Sequence, residues 1–268
     1  MIALALTAAA VAGPVGVVFL GDAGTGSPEQ HAVSAAIEGF CAAETCDLAL
    51  TLGDNVYPDG VASPDDPLWQ SRFEAPYANL DLVFKPALGN HDHRQSPEAQ
   101  VAYSERSERW DMPARFYRFE ARDVVFYALD TTTWDKPQHR WLRRALKREA
   151  AEWVVVYGHH PIRSGGSHGD TEVLVSELEP LLHGRAQLYL AGHDHALQAI
   201  QGPSGLTYVV SGGGGAPVRP VQETDATLFA SSVHGFGHLL IDGDAARLRL
   251  VDVDGEVVFD TTIERELP

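Results

Sequence analysis

Basic residues are scarce in this chain, with 20 Lys and Arg against 37 Asp and Glu and a formal net charge of −17. A basic surface that grips nucleic acid or anionic lipid is therefore not expected, because such binding grows with the number of phosphates that cations neutralise. Long hydrophobic runs are missing too: the apolar stretch at residues 2–13 is shorter than the ~20 residues of a membrane-spanning helix. Neither nucleic acid nor a membrane is an expected partner. The small and apolar residues of 2–13, with Ala-x-Ala patterns near the end, match a secretory signal. No Lys or Arg precedes them, so a frayed end or an extra edge strand is an equal alternative. Cysteine is limited to Cys41 and Cys46, a spacing that fits either a small disulfide loop or two free thiols. Together with the signal-like start, it tilts the expected location towards the periplasm or secretion over the cytoplasm. No Gly-x-Ser-x-Gly elbow occurs, which argues against a serine hydrolase. The glycines 212–215 are followed by neither Lys-Ser/Thr nor a helix start, which rules out a phosphate-binding P-loop and leaves a turn shaping a site wall.

What the chain does have is a repeated handover from an apolar run to a polar loop. Val15–Leu20 reads as a buried strand and stops at Gly21-Asp22-Ala23-Gly24, after which Ser27-Pro28-Glu29-Gln30 has the form of a helix start. Leu48–Leu52 ends at Gly53-Asp54-Asn55-Val56-Tyr57, 83–88 at Gly89-Asn90-His91-Asp92, and 124–129 at Asp130. Trp153–Tyr157 ends at Gly158-His159-His160-Pro161 and Leu188–Ala191 at Gly192-His193-Asp194-His195. Helices are predicted around Trp141, Leu142, Ala145 and Leu146 and over 171–182, with further strands at 208–210, 238–241, 247–253 and 257–259. No internal repeat or low-complexity linker interrupts the chain, and 44% hydrophobic composition supplies the core of one α/β domain over residues 14–268.

In sheets of this kind ligands gather at the carboxyl ends of the strands. Five Gly-led motifs sit there, presenting Asp22, Asp54, Asn90, His159, and His193 with His195. Singly, an Asp or His after a strand is more often a cap or a hydrogen-bonded residue. Jointly, these side-chain types form a ligand set for hard or borderline cations.

The same motifs in the same order resemble the calcineurin-like metallophosphoesterase family, over roughly residues 15–245. Many members open with Asp-x-His, whereas this chain has Asp22-Ala23-Gly24 and instead offers Tyr57, three residues after Asp54. That exchange resembles the purple acid phosphatases, where a tyrosinate selects ferric iron. The runs 110–119, Gly158-His159-His160-Pro161 with Ser164, His168-Gly169, and 192–198 narrow the likeness to the small tartrate-resistant type. The resemblance implies a four-layer αββα sandwich and two metal ions. Asp22, Asp54, Tyr57 and His195 would hold Fe(III), and Asp54, Asn90, His159 and His193 would hold Fe(II), Zn or Mn, with Asp54 shared. His91 and His168 are the implied catalytic histidines facing the substrate. His160, where Tyr is usual, and Ala196, where Asn is usual, depart from the pattern at the rim.

Two cations ~3.5–4 Å apart polarise phosphoryl oxygens and lower the pKa of a bound water, so that hydroxide attacks phosphorus in line without a covalent enzyme intermediate. The expected activity is hydrolysis of small phosphate monoesters with an acid optimum. A nucleotide or lipid phosphodiesterase and a non-catalytic metal-binding sensor are the competing readings. Asp194 is open to two roles, orienting a neighbouring ring N–H or facing solvent. His93, Arg94 and Arg163 are expected as solvated loop charges rather than entrance residues.

Overall fold

The structure is a computed structural model that describes residues 13–265. The signal-like stretch, Gly13 apart, lies outside the described residues. Two mixed sheets face one another. The first contains β1 (Val15–Leu20), β2 (Leu48–Leu52), β3 (Val83–Ala87), β11 (Gly235–Asp242), β12 (Ala245–Asp252) and β13 (Val257–Glu264). Its order is β13-β12-β11-β1-β2-β3, with β1, β2 and β3 parallel. The second holds β4 (Tyr117–Ala121), β5 (Val124–Ala128), β6 (Trp153–Tyr157), β7 (Leu188–Ala191), β8 (Leu197–Gln201), β9 (Thr207–Ser211) and β10 (Thr227–Ser231). It runs β10-β8-β9-β7-β6-β5-β4, with β5, β6, β7 and β9 parallel.

Strand periodicity explains the layering. Val124, Phe126 and Ala128 of β5, Trp153, Val155 and Tyr157 of β6, and Leu188 and Leu190 of β7 join the core between the sheets. The alternate residues Val125, Tyr127, Val154, Val156, Tyr189 and Ala191 point the other way, onto Leu142, Leu146, Leu174, Leu178 and Leu182. Those leucines belong to α3 (Lys136–Arg148), to α4 (Glu172–Glu177), to α5 (Glu179–Leu182) and to the junction between the last two. On the opposite side α1 (Pro28–Cys41) packs against β11 through Phe40, whose ring meets Phe236 edge-on at 5.6 Å. The result is the expected αββα sandwich, because a strand buried on both faces needs a partner layer on each.

Local signals set the element ends. Ser27 caps α1 by accepting from Gln30 N, with Pro28 in the first turn where its missing N–H costs nothing. Ser96 does the same for α2 (Pro97–Tyr103), accepting from Ala99 N. A disulfide joins Cys41 to Cys46 and ties the end of α1 to the approach of β2. The single helix expected over 171–182 is two, α4 and α5. Pro180 in the first turn of α5 has no N–H to continue the α4 ladder. Helix α3 carries no acidic residue, and its six cations, Lys136, Arg140, Arg143, Arg144, Lys147 and Arg148, are exposed and form no ion pair among the described residues.

Buried His238 on β11 donates from Nε2 to Thr45 O (2.9 Å), and its Nδ1 lies 3.2 Å from the Arg249 guanidinium. Burial foremost pushes its pKa from 6.5 down to about 4. The fold thus favours neutral imidazole, a contribution present above pH 6.5 and lost as pH falls towards 4. A shift of this size corresponds to roughly 3 kcal/mol. Urea unfolding at pH 7 and pH 4.5 is expected to show a fall in stability that His238→Gln reduces by about that amount.

Candidate metal centre

Asp22, Asp54 and Asn90 follow β1, β2 and β3 of the first sheet, and His159 and His193 follow β6 and β7 of the second. The carboxyl ends of both parallel sets therefore face one crevice. Asp22, Asp54 and His193 have φ of 58°, 53° and 68°, the left-handed region that side chains seldom adopt. Strain of this kind persists where the surroundings over-determine it. Here Gly89 supplies part of the constraint: a Cβ on it would lie 2.2 Å from both the N and the Oδ1 of Asp54.

The seven predicted donors meet as two sets that share Asp54. Around its Oδ2 stand the Tyr57 hydroxyl (2.9 Å), which also reaches Asp22 Oδ1 (3.1 Å), and His195 Nε2, 3.4 Å from Asp22 Oδ1. Around its Oδ1 stand His159 Nε2 (3.5 Å), Asn90 Oδ1 at 3.1 Å from that nitrogen, and His193 Nδ1 at 3.1 Å from it. The histidine tautomers are fixed from behind. His159 Nδ1 donates to Leu52 O (2.9 Å) and His195 Nδ1 to Pro217 O (2.8 Å), which leaves each Nε2 lone pair turned inwards.

Apart from the Tyr57 hydroxyl and the backbone N–H groups of His91 and His193, the groups that converge here are largely acceptors. Asp22 and Asp54 are buried, and their ion-pair partners among the described residues are histidines alone. Burial, with the Asp54 charge adding to it, pushes Asp22 up to about 6. Burial and both carboxylates hold the Tyr57 phenol far above its ordinary value. Burial also takes His159 well below its ordinary value and His193 down to about 2, so both rings are neutral, the form that ligates metal. In His195 burial pushes downwards, but Asp22 prevails and raises it. A cation in each set reverses this logic, turning the clustered lone pairs and negative charge from repulsive to attractive. The donor set fits two ions.

Residues 16–197 match the model of the family described as Calcineurin-like phosphoesterase. The chain belongs to that family. It is 33% identical to tartrate-resistant acid phosphatase type 5 of Oryctolagus cuniculus, over 81% of this chain and 78% of the relative. To purple acid phosphatase 7 of Arabidopsis thaliana it is 30% identical, over 82% and 76%. The solved structure of GAP50, the anchor in the inner membrane complex of Plasmodium, shares the fold with a TM-score of 0.86 at 22% identity, covering 96% of this chain and 90% of that one. This calcineurin-like phosphoesterase is thus a metal-dependent phosphoric ester hydrolase of the acid phosphatase kind, whose family carries a dinuclear metal centre.

Both predicted catalytic histidines stand beside these donors. The His91 ring tilts against Tyr57, centroids 4.5 Å apart, with Nε2 3.9 Å from Asp54 Oδ2 and 3.4 Å from Arg94. The His168 ring lies 4.1 Å from that of His193, and its Nδ1 donates to Asp194 Oδ1 (2.9 Å). Asp194 is buried and orients His168 rather than the histidines that flank it in sequence, so it does not face solvent. His93 and Arg115 both bind Asp130, Arg94 pairs with Asp59, and Arg163 spans Asp170 and Glu179. None of the three expected loop charges is a free one.

Three positions go beyond the sequence reading. Thr131 Oγ1 accepts from the backbone N–H of His159 and His160, so its own proton goes to His160 Nδ1 (3.0 Å) and leaves Nε2 as the N–H of that ring. Arg219 reaches His168 Nε2 at 3.2 Å. Asp92 does not touch His91. Fully buried, it accepts from the N–H of Asn55, Val56 and Gly89 and from the side-chain amides of Asn55 and Gln100, clamping the second motif to the third. Asp92→Ala leaves those donors buried without an acceptor and is expected to cost on the order of 3 kcal/mol or more. Urea midpoints measure it, and a loss below ~1 kcal/mol would mean that the clamp is dispensable.

Proposed function

We propose that the chain is a purple acid phosphatase that hydrolyses phosphate monoesters, with an acid pH optimum. In this reading Asp22, Asp54, Tyr57 and His195 hold Fe(III), and Asp54, Asn90, His159 and His193 hold Fe(II), Zn or Mn. Residues 14–268 act as one domain. The observation that carries the reading is Asp54, whose two oxygens face separate donor sets, only one of which contains a phenol. A phenolate is a hard anionic donor suited to a trivalent ion, while imidazole and amide suit a divalent one. Bound there, the cation pair polarises phosphoryl oxygens and acidifies water.

The protein's own groups do the rest. His91, beside Asp54 and open to the crevice, stands where it can give a proton to the leaving alkoxide, worth ~10²–10⁴-fold. His168, fixed by Asp194, is placed to face the phosphate. His160 presents an Nε2–H where the family usually has Tyr, which keeps a hydrogen-bond donor at the rim. Small phosphorylated molecules fit a centre built from loop side chains. No described helix is long and apolar enough to cross a membrane. The Cys41–Cys46 bond supports a periplasmic or secreted location, since disulfides persist in oxidising compartments.

Purified native protein is expected to contain iron and to show a visible charge-transfer band that Tyr57→Phe bleaches. Colour and iron unchanged in that variant would remove the assignment to the purple group. Turnover of p-nitrophenyl phosphate is expected to exceed that of bis(p-nitrophenyl) phosphate at acid pH. The reverse preference would make the enzyme a phosphodiesterase, and inactivity of fully metallated protein a binding module.

A further inference from the structure

Arg219 lies in the segment after the glycine run, outside the motifs that carry the family likeness. Its backbone N–H donates to His195 O (2.9 Å), and two residues earlier Pro217 O accepts from His195 Nδ1 (2.8 Å). This segment is therefore fastened twice to one of the inward-facing histidines, and the backbone from which the guanidinium extends is held beside the centre. Nη1 sits 3.2 Å from His168 Nε2. Because His168 Nδ1 already donates to Asp194, its Nε2 is the acceptor of that contact.

The charge of Arg219 is uncompensated. Around the crevice Arg94 is paired with Asp59, Arg115 with Asp130, and Arg163 with Asp170 and Glu179. Arg219 forms no ion pair among the described residues, in a chain of net charge −17 with 37 carboxylates to choose from. The two histidines are thus flanked asymmetrically. Beside His91 the neighbouring guanidinium is neutralised, whereas beside His168 it is free to bind an anion. The phosphoryl group itself is already provided for by the two donor sets, so a fork of N–H donors further out is left for another part of the substrate.

We propose that Arg219 forms a subsite for a second anionic group, so that the enzyme favours phosphate monoesters bearing a further carboxylate or phosphate. The inference rests on the phosphatase reading and names its substrate class. When such a group arrives, the guanidinium exchanges its contact with neutral His168 for a charged acceptor. A charge-assisted hydrogen bond of this kind is worth ~10–100-fold in affinity, and about tenfold is expected at a rim open to water.

3-Phosphoglycerate and glycerol 3-phosphate differ in a carboxylate in place of a hydroxymethyl group and form the test pair. The holoenzyme is expected to favour 3-phosphoglycerate about tenfold in kcat/KM, expressed in KM. In Arg219→Gln the ratio should fall to near one, and Arg219→Lys should keep part of it. Each ratio is taken within one preparation, so losses in folding or metal loading cancel. Calorimetry with phosphonoacetate and methylphosphonate, which are not esters, should show the same preference and the same loss. A wild-type ratio near one, or a ratio that survives Arg219→Gln, overturns the subsite. If neither ester is hydrolysed the phosphatase reading fails, and the phosphonate affinities alone then decide on Arg219.

Discussion

The Asp54 carboxylate, buried and shared between two groups of lone pairs, is the constraint around which the rest of the molecule is arranged. A buried carboxylate without a cationic partner is costly, and Asp22 stands beside it with Tyr57 bridging the two. Left-handed backbone at Asp22, Asp54 and His193 adds strain of ~1–3 kcal/mol each. Backbone N–H groups of His91 and His193, which donate to Asp54 and Asp22, recover part of that energy. The rest is offset by the sandwich that holds the loops and by whatever positive charge the site takes up. The amides and backbone N–H groups around Asp92 belong to the same solution, because they fix the second motif against the third before any ion arrives.

Neither sheet can build the site alone. The first contributes Asp22, Asp54, Tyr57 and Asn90, and the second contributes the three inward-facing histidines, so their distances depend on how closely the sheets approach. Contact is made at the glycines. Gly21 N–H donates to Ser211 O of the second sheet, while Gly214 and Ala216 donate to the carbonyls of Gly21 and Asp22. A Cβ on Gly212 would lie 2.2 Å from Asp194 O. The run of glycines therefore lets two backbones approach closely and hydrogen-bond beside the site.

Much of this was legible in the sequence because site and fold use the same signal. A buried strand is a short apolar run, its carboxyl end is where ligands gather, and the residue that turns the chain there is Gly, so the five motifs already point to side chains that the fold brings together. The edges were less legible. Strand β10 has no fully buried residue, and β4 alternates at the margin of its sheet beside a tight turn at Arg122, so neither presents a continuous apolar run. Helix α2 starts with the same Ser-Pro-Glu pattern as α1, yet is only seven residues long and lies between loops. Side-chain partners were least legible of all. Asp194 and Asp92 each stand beside a histidine in sequence, and each turns away from it, because their partners come from residues 164–168 in one case and 55–56, 89 and 100 in the other.

Net charge illustrates how far a bulk property reaches. Minus 17 is the sum of a wholly basic α3 and a remainder more acidic than the total, and the average describes neither. Beyond a Debye length, ~8–10 Å at ordinary salt, that summed charge is largely screened, and an approaching anion feels its repulsion only nearer the surface. Within the crevice it meets the local arrangement, where the carboxylates are turned inwards among the donor sets and the exposed groups are imidazole and guanidinium. Selectivity among anions must therefore arise at short range, from which cations are already neutralised by the protein and which are not. That distinction separates Arg94 and Arg163, each held by a carboxylate of its own, from Arg219, whose nearest polar contact is an uncharged ring nitrogen.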